Sequence, residues 1–232
     1  QLNFPSCNAP FICHGLNRDF EMPKQQMLTW GLIALGWLGG LTHGVGWANK
    51  INADWQLAKQ DRGVAVYTGA VAGSKFLAFK AVTIVADPLD EVLAVLLDHT
   101  KYPLWYANCE QAQVLDVLGT DQTMVRIVVK TPFPLASRET INTVTLTRSE
   151  HSARIDLVNA PGAVPLTRGV VRMQTAGGSW VLQTVPGGTQ VLQTYHADPQ
   201  VKMPAWMINR FIIDGPLQSM KNLADRLERE TK

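Results

Sequence analysis

Cysteine is scarce in this chain. Three cysteines in 232 residues cannot build a multi-bridge scaffold, so the fold must rest on an apolar core. An excess of one charge is missing as well. Lys+Arg 21 against Asp+Glu 19 leaves only +2, which argues against a broad nucleic-acid-binding surface, so no nucleic-acid partner is expected. Metal-ligand spacing is absent: His99, His151 and His196 stand 52 and 45 residues apart, with no HExxH or CxxC around them, so no metal is expected. No GxSxG, Walker A or GxGxxG context appears, and Cys109 has no base near it in sequence. The expectation is therefore no catalytic residue and no cofactor. A Met is also lacking at position 1, where Gln stands; the first is Met22.

What is present begins at that Met. Met22-Pro-Lys24 opens a short basic stretch, followed by an uncharged apolar run from Met27 to Leu41 and a small-residue exit at Gly46-Trp47-Ala48. This order describes a secretory signal peptide over 22–48, and hence a periplasmic or secreted protein. The rival reading, an uncleaved membrane anchor, needs about 20 apolar residues, more than this run supplies. Six glycines between Gly31 and Gly46 weaken it further. Residues 1–21 lack periodicity and read as upstream sequence or a disordered extension, leaving one domain over 49–232.

Within that domain, Asn52–Asp61 reads as a short amphipathic helix capped by Asn52 and closed at Gly63. Val64–Thr68 and Ser74–Ala86 read as strands, the second apolar on both faces and so expected to be covered on both. Asp87-Pro88 opens a helix, with Asp87 as its cap and Leu89, Val92, Leu93, Leu96 and Leu97 at helical spacing. Seven strand-like runs follow, at 110–118, 123–131, 137–147, 152–158, 166–175, 179–185 and 189–198, separated by Gly/Pro turns. Ile213, Leu217, Met220, Ala224 and Leu227 then mark a long helix from about Pro204 to Arg229, with a kink expected at Gly215-Pro216. The fold class is α+β: a curved antiparallel sheet around a long C-terminal helix.

Several segments resemble the START-domain family of the helix-grip superfamily. They are Trp55-Gln-Leu-Ala-Lys-Gln-Asp-Arg-Gly63, Asp98-His-Thr-Lys-Tyr102-Pro-Leu-Trp105, Pro132-Phe-Pro134-Leu-Ala-Ser-Arg138-Glu139 and Gly169-Val-Val-Arg172-Met. The longest is Tyr195-His-Ala-Asp198-Pro199 through Trp206 to Asn209, closed by Gly215-Pro216. The resemblance implies a helix-grip fold with a hydrophobic tunnel that binds, and in some members transfers, one lipid or other apolar molecule. It implies transient membrane contact at most, and a monomer is expected. Family members often carry Asp where Glu139 stands, and sterol-carrying members a charged residue where Val144 stands.

Seven residues are candidates for ligand contact. Arg138 and Arg172 lie on strands and could meet a ligand hydroxyl or phosphate, or else pair with Glu139 or Asp156. Asn142 shares a face with Arg138 by period-2 alternation, and Tyr195 shares one with Val191 and Gln193. Trp105, Trp206 and Phe211 are large aromatics, the last two on the helix that would cover the tunnel. The alternative is an aromatase/cyclase-type enzyme using Arg138, Tyr195 and His196. Tyr195 and His196 are neighbours on one strand, however, and would be expected on opposite faces.

Overall fold

A computed structural model describes residues 54–201 and 204–230, without the side chains of 205–207, 210 and 230. The proposed leader at 22–48, the segment before it and the Asn52 cap lie outside the described residues.

The chain opens as a hairpin, β1 (Gln56–Asp61) and β2 (Val64–Gly69), where a helix was expected. The reason is the turn. Arg62 and Gly63 adopt φ of 45° and 76°, the positive pair that a two-residue hairpin reversal requires. β1 is exposed along its whole length, so its apolar spacing reported an edge strand rather than a buried helical stripe. Ion pairs from Lys59 to Asp214 (2.7 Å) and from Asp61 to Lys221 hold this edge to the C-terminal helix.

β3 (Ala78–Val85) is shorter than the expected strand, and its second face is covered at Ala78, half-covered at Val82 and open at its end, where Ile84 is 57% exposed. α1 (Leu89–Leu97) follows, its capping residue being Pro88 rather than Asp87, and it buries Leu89, Val92, Leu93, Val95 and Leu96. A 3-10 helix (His99–Leu104) leads into a meander of β4 (Cys109–Gly119), β5 (Gln122–Val129), β6 (Arg138–Arg148) and β7 (Ser152–Asn159). The expected strand at 166–175 is reduced to β8 (Val171–Arg172), which pairs in parallel with Arg138-Glu139 of β6. The flanking loop is held by Arg172 rather than by a ladder, because the Arg172 guanidinium donates to the carbonyls of Pro161, Val164 and Pro165. β9 (Ala176–Val185) and β10 (Gly188–Ala197) complete the sheet.

The strand order is β1-β2-β3-β10-β9-β7-β6-β5-β4, antiparallel between all neighbours along that path. Because β10 returns beside β3, the last strand joins the N-terminal hairpin to the meander. α2 (Ala205–Glu230) then lies against the sheet, packing on β1, β2 and β3. Its 26 residues span about 39 Å and run through Pro216, whose missing amide leaves the Ile212 carbonyl without its usual donor. Leu217, Met220, Leu223 and Leu227 enter the main core with Trp105, Trp180, Ile155 and Leu182. The α+β sheet-and-helix architecture expected from the sequence is the one observed.

Candidate ligand-binding cavity

Between the concave face of the sheet and the first half of α2 lies a cavity of about 230 Å³. Period-2 alternation turns Phe79 of β3, Ile127 and Val129 of β5, Leu157 of β7 and Trp180 of β9 toward it. Ile208, Phe211 and Ile212 of α2 close the opposite side, and Thr131, Pro132 and Leu135 of the β5–β6 loop form a lip. Leu135 packs on a second apolar cluster of Phe76, Val201 and Ile208, which joins the lip to the start of α2.

The polar part of the wall comes from β6, β10 and the segment after the 3-10 helix. Asn142 Nδ2 donates to Thr140 Oγ1 at 3.0 Å. Gln193 Nε2 donates to the Tyr106 hydroxyl at 3.2 Å. Burial pushes both phenols above the ordinary tyrosine range, so both keep their protons throughout the physiological range. Tyr195 reaches across the sheet because Gly178 stands opposite it on β9. A Cβ at Gly178 would lie 2.2 Å from the Thr194 carbonyl and 2.5 Å from the Tyr195 ring.

The structure thus brings three of the seven candidate residues to the wall: Asn142, Tyr195 and Phe211. Trp105 stands one layer behind. It is buried, packs edge-on against Tyr102, Tyr106 and Trp180 at centroid distances of 5.1, 5.6 and 6.2 Å, and is not among the lining residues. Arg138 and Arg172 do not line the cavity either. Arg138 donates to the Pro199 carbonyl at 3.0 Å and to the Ala136 carbonyl, and so ties the lip to the strap before α2. Arg172 donates to Glu139 Oε1 at 2.8 Å, while Arg126 holds Oε2 at 2.6 Å. These two guanidiniums outweigh the cost of burial and keep the fully buried Glu139 below the ordinary glutamate range. The Trp206 side chain lies outside the described part.

Tyr106, Thr140 and Gln193 were not singled out. Gln193 carried a readable signal, since it shares a face of β10 with Tyr195. Tyr106 carried none, because its direction is set by the 3-10 turn. His196 also borders the cavity, and its Nε2 lies 3.1 Å from Ser74 Oγ. Among the described residues, no group of three His, Cys, Asp or Glu side chains could hold a metal, and no helix is long and apolar enough to cross a membrane. Cys109 is half-buried and its thiol is pushed up to about 11, chiefly by burial.

A family model described as the START domain matches residues 46–232. The chain belongs to the START-domain family. An uncharacterized protein of Pseudomonas aeruginosa is 28% identical to it over 201 residues, covering 86% of this chain and 98% of its own. Among solved structures, a STAR-related lipid transfer protein from Xanthomonas axonopodis superposes on this START domain with a TM-score of 0.69. Their identity is 25%, over 75% of this chain and 98% of that one. The Zhui aromatase/cyclase from Streptomyces sp. R1128 shares the fold at a TM-score of 0.52 and 16% identity, over 67% and 95% of the two chains.

Proposed function

We propose that this START domain encloses a single lipid or other hydrophobic molecule and does no chemistry on it. The supporting observation is the cavity itself, apolar on most of its wall and closed by a helix and a loop rather than by rigid strands. Affinity then comes from removing ligand surface from water, at about 25 cal/mol per Å² of apolar area, while a few polar groups set orientation. Entry is then expected past the lip at 131–135 and the start of α2, the loop and helix that border the cavity. The basic and apolar pattern of residues 22–48 supports work outside the cytoplasm, where an apolar molecule needs a carrier to cross water.

Cyclase-type chemistry is the weaker reading of the same site. The Tyr195 phenol stays protonated, and the Arg138 guanidinium is turned onto main-chain carbonyls instead of the cavity. Titration with the neutral fluorophore N-phenyl-1-naphthylamine tests the carrier reading. A saturable fluorescence rise at one probe per chain is expected; failure to take up this probe and other apolar fluorophores would refute it.

A further inference from the structure

The cavity is stopped at one end. On α2 its lining runs from Ile208 to Ser219 and goes no further. Met220, Leu223 and Leu227 belong to the main core and are at most 2% exposed, so the second half of the helix covers packed side chains instead of space.

Aromatic rings make the stop. Tyr106 and Trp180 line the cavity, and Ala107 donates its amide to Ser219 Oγ at 3.0 Å, which sets Tyr106 beside the last lining residue of the helix. Tyr102 borders the cavity too, stacked on Tyr106 at 5.6 Å. Trp105 stands behind, with ring centroids 5.6 Å from Tyr106 and 6.2 Å from Trp180. The layer is tied from outside the cavity. The Tyr102 hydroxyl donates to the Leu96 carbonyl of α1 at 2.7 Å, and Asn222 of α2 donates to the Trp105 carbonyl at 2.8 Å. Rings packed at interior density and held from two helices do not retract at small cost for a longer ligand.

Size follows from that floor. The space amounts to about 230 Å³. An apolar cavity of about 150 Å³ takes up one benzene, so this one suits a single chain of moderate length or one compact ring system. Two acyl chains of about a dozen methylenes each need on the order of 700 Å³, taking about 30 Å³ for a methylene as for a water.

We propose that Tyr106 and Trp180, backed by Tyr102 and Trp105, form a floor that limits the ligand to one apolar chain or ring system and excludes two-chain lipids. This rests on the reading of the cavity as a ligand site and adds the size class of the ligand.

The test is displacement of N-phenyl-1-naphthylamine from the intact protein by straight-chain alcohols from hexanol to tetradecanol, each below its solubility limit. Potency is expected to rise about fourfold per added methylene while the chain fills the cavity. It should level off at about eight to ten carbons, the length that the volume accommodates. In Trp180→Leu the break is expected to move to longer chains. Phe211→Ala, at the partly exposed rim, should weaken all the alcohols alike and leave the break in place. Potency that keeps climbing through tetradecanol would overturn the proposal, as would a break that stays put in folded Trp180→Leu or moves as far in Phe211→Ala. The wild-type series decides even if the tryptophan variant fails to fold. Incubation with dioleoylphosphatidylcholine vesicles should leave the re-isolated protein free of phospholipid in native mass spectrometry; one phospholipid per chain would equally overturn it. A probe that never binds the wild-type protein would instead remove the cavity reading, and this proposal with it.

Discussion

His99 sits 3% exposed at the start of the 3-10 helix, edge-on to Tyr102 at 5.1 Å, with no partner for its Nδ1. Burial lowers its pKa to about 4 from the ordinary 6.5, and the neighbouring Asp98 offsets only part of that shift. A histidine held neutral in the fold but free to protonate when unfolded makes stability depend on pH in one direction. Its contribution is complete above pH 6.5 and is lost as pH falls toward 4, up to roughly 3 kcal/mol in all. Urea unfolding of the wild type should therefore show stability falling between pH 6.5 and 5, and His99→Phe should flatten that interval. An identical slope in the variant would show that other groups carry it. Residue-scale reading from sequence succeeded where geometry is local. Alternation grouped Asn142 with Arg138 on β6 and Tyr195 with Gln193 on β10 without saying which face is inner; Asn142, Tyr195 and Gln193 line the cavity and Arg138 does not. For the arginines the sequence offered the Arg172–Glu139 pair as one alternative, and that pair forms, but the main-chain acceptors at Ala136, Pro161, Val164, Pro165 and Pro199 lie in loops whose course no local pattern fixes.

At the scale of elements, long periodic segments were legible and short irregular ones were not. The stripe of Leu217, Met220 and Leu227 announced α2, since only burial of one helical face explains that spacing. Gln56–Asp61 was misread because an exposed edge strand has no buried face to give it a period, and the deciding feature was the conformation of Arg62-Gly63. β9 carries the element that most directly supports the cavity. Gly178 lets Tyr195 lie across the sheet, so Gly178→Ala forces a Cβ against the Thr194 carbonyl, a backbone atom that cannot swing aside. We expect a loss of ~1–3 kcal/mol of stability together with weaker uptake of N-phenyl-1-naphthylamine. Gly162→Ala, which meets nothing within 4 Å, should stay within about 0.5 kcal/mol of the wild type. If both variants unfold at the same denaturant concentration, the close approach at Gly178 does not constrain the site.

Across the whole molecule, the pairing of β10 with β3 makes one sheet of the hairpin and the meander, and α2 lies against β1–β3. The aromatic layer of Tyr102, Trp105, Tyr106 and Trp180 packs between the 3-10 segment and β9. Asn222 of α2 ties the helix to that layer through the Trp105 carbonyl at 2.8 Å, and Ser219 accepts the Ala107 amide at 3.0 Å. The second half of α2 is thus anchored in the core. The first half reaches the sheet through the Phe76, Val201 and Ile208 cluster and the Asn209 bond to the Leu77 amide at 3.3 Å. On the proposed carrier reading, the first half of the helix and the lip are the parts expected to move. The central claim is that the molecule holds one apolar ligand in this cavity. Native mass spectrometry of the protein purified from its own cells tests it most directly. The account predicts a single additional mass per chain, lost on denaturation and extractable into organic solvent; protein that carries no such mass and takes up no apolar probe when challenged would contradict it.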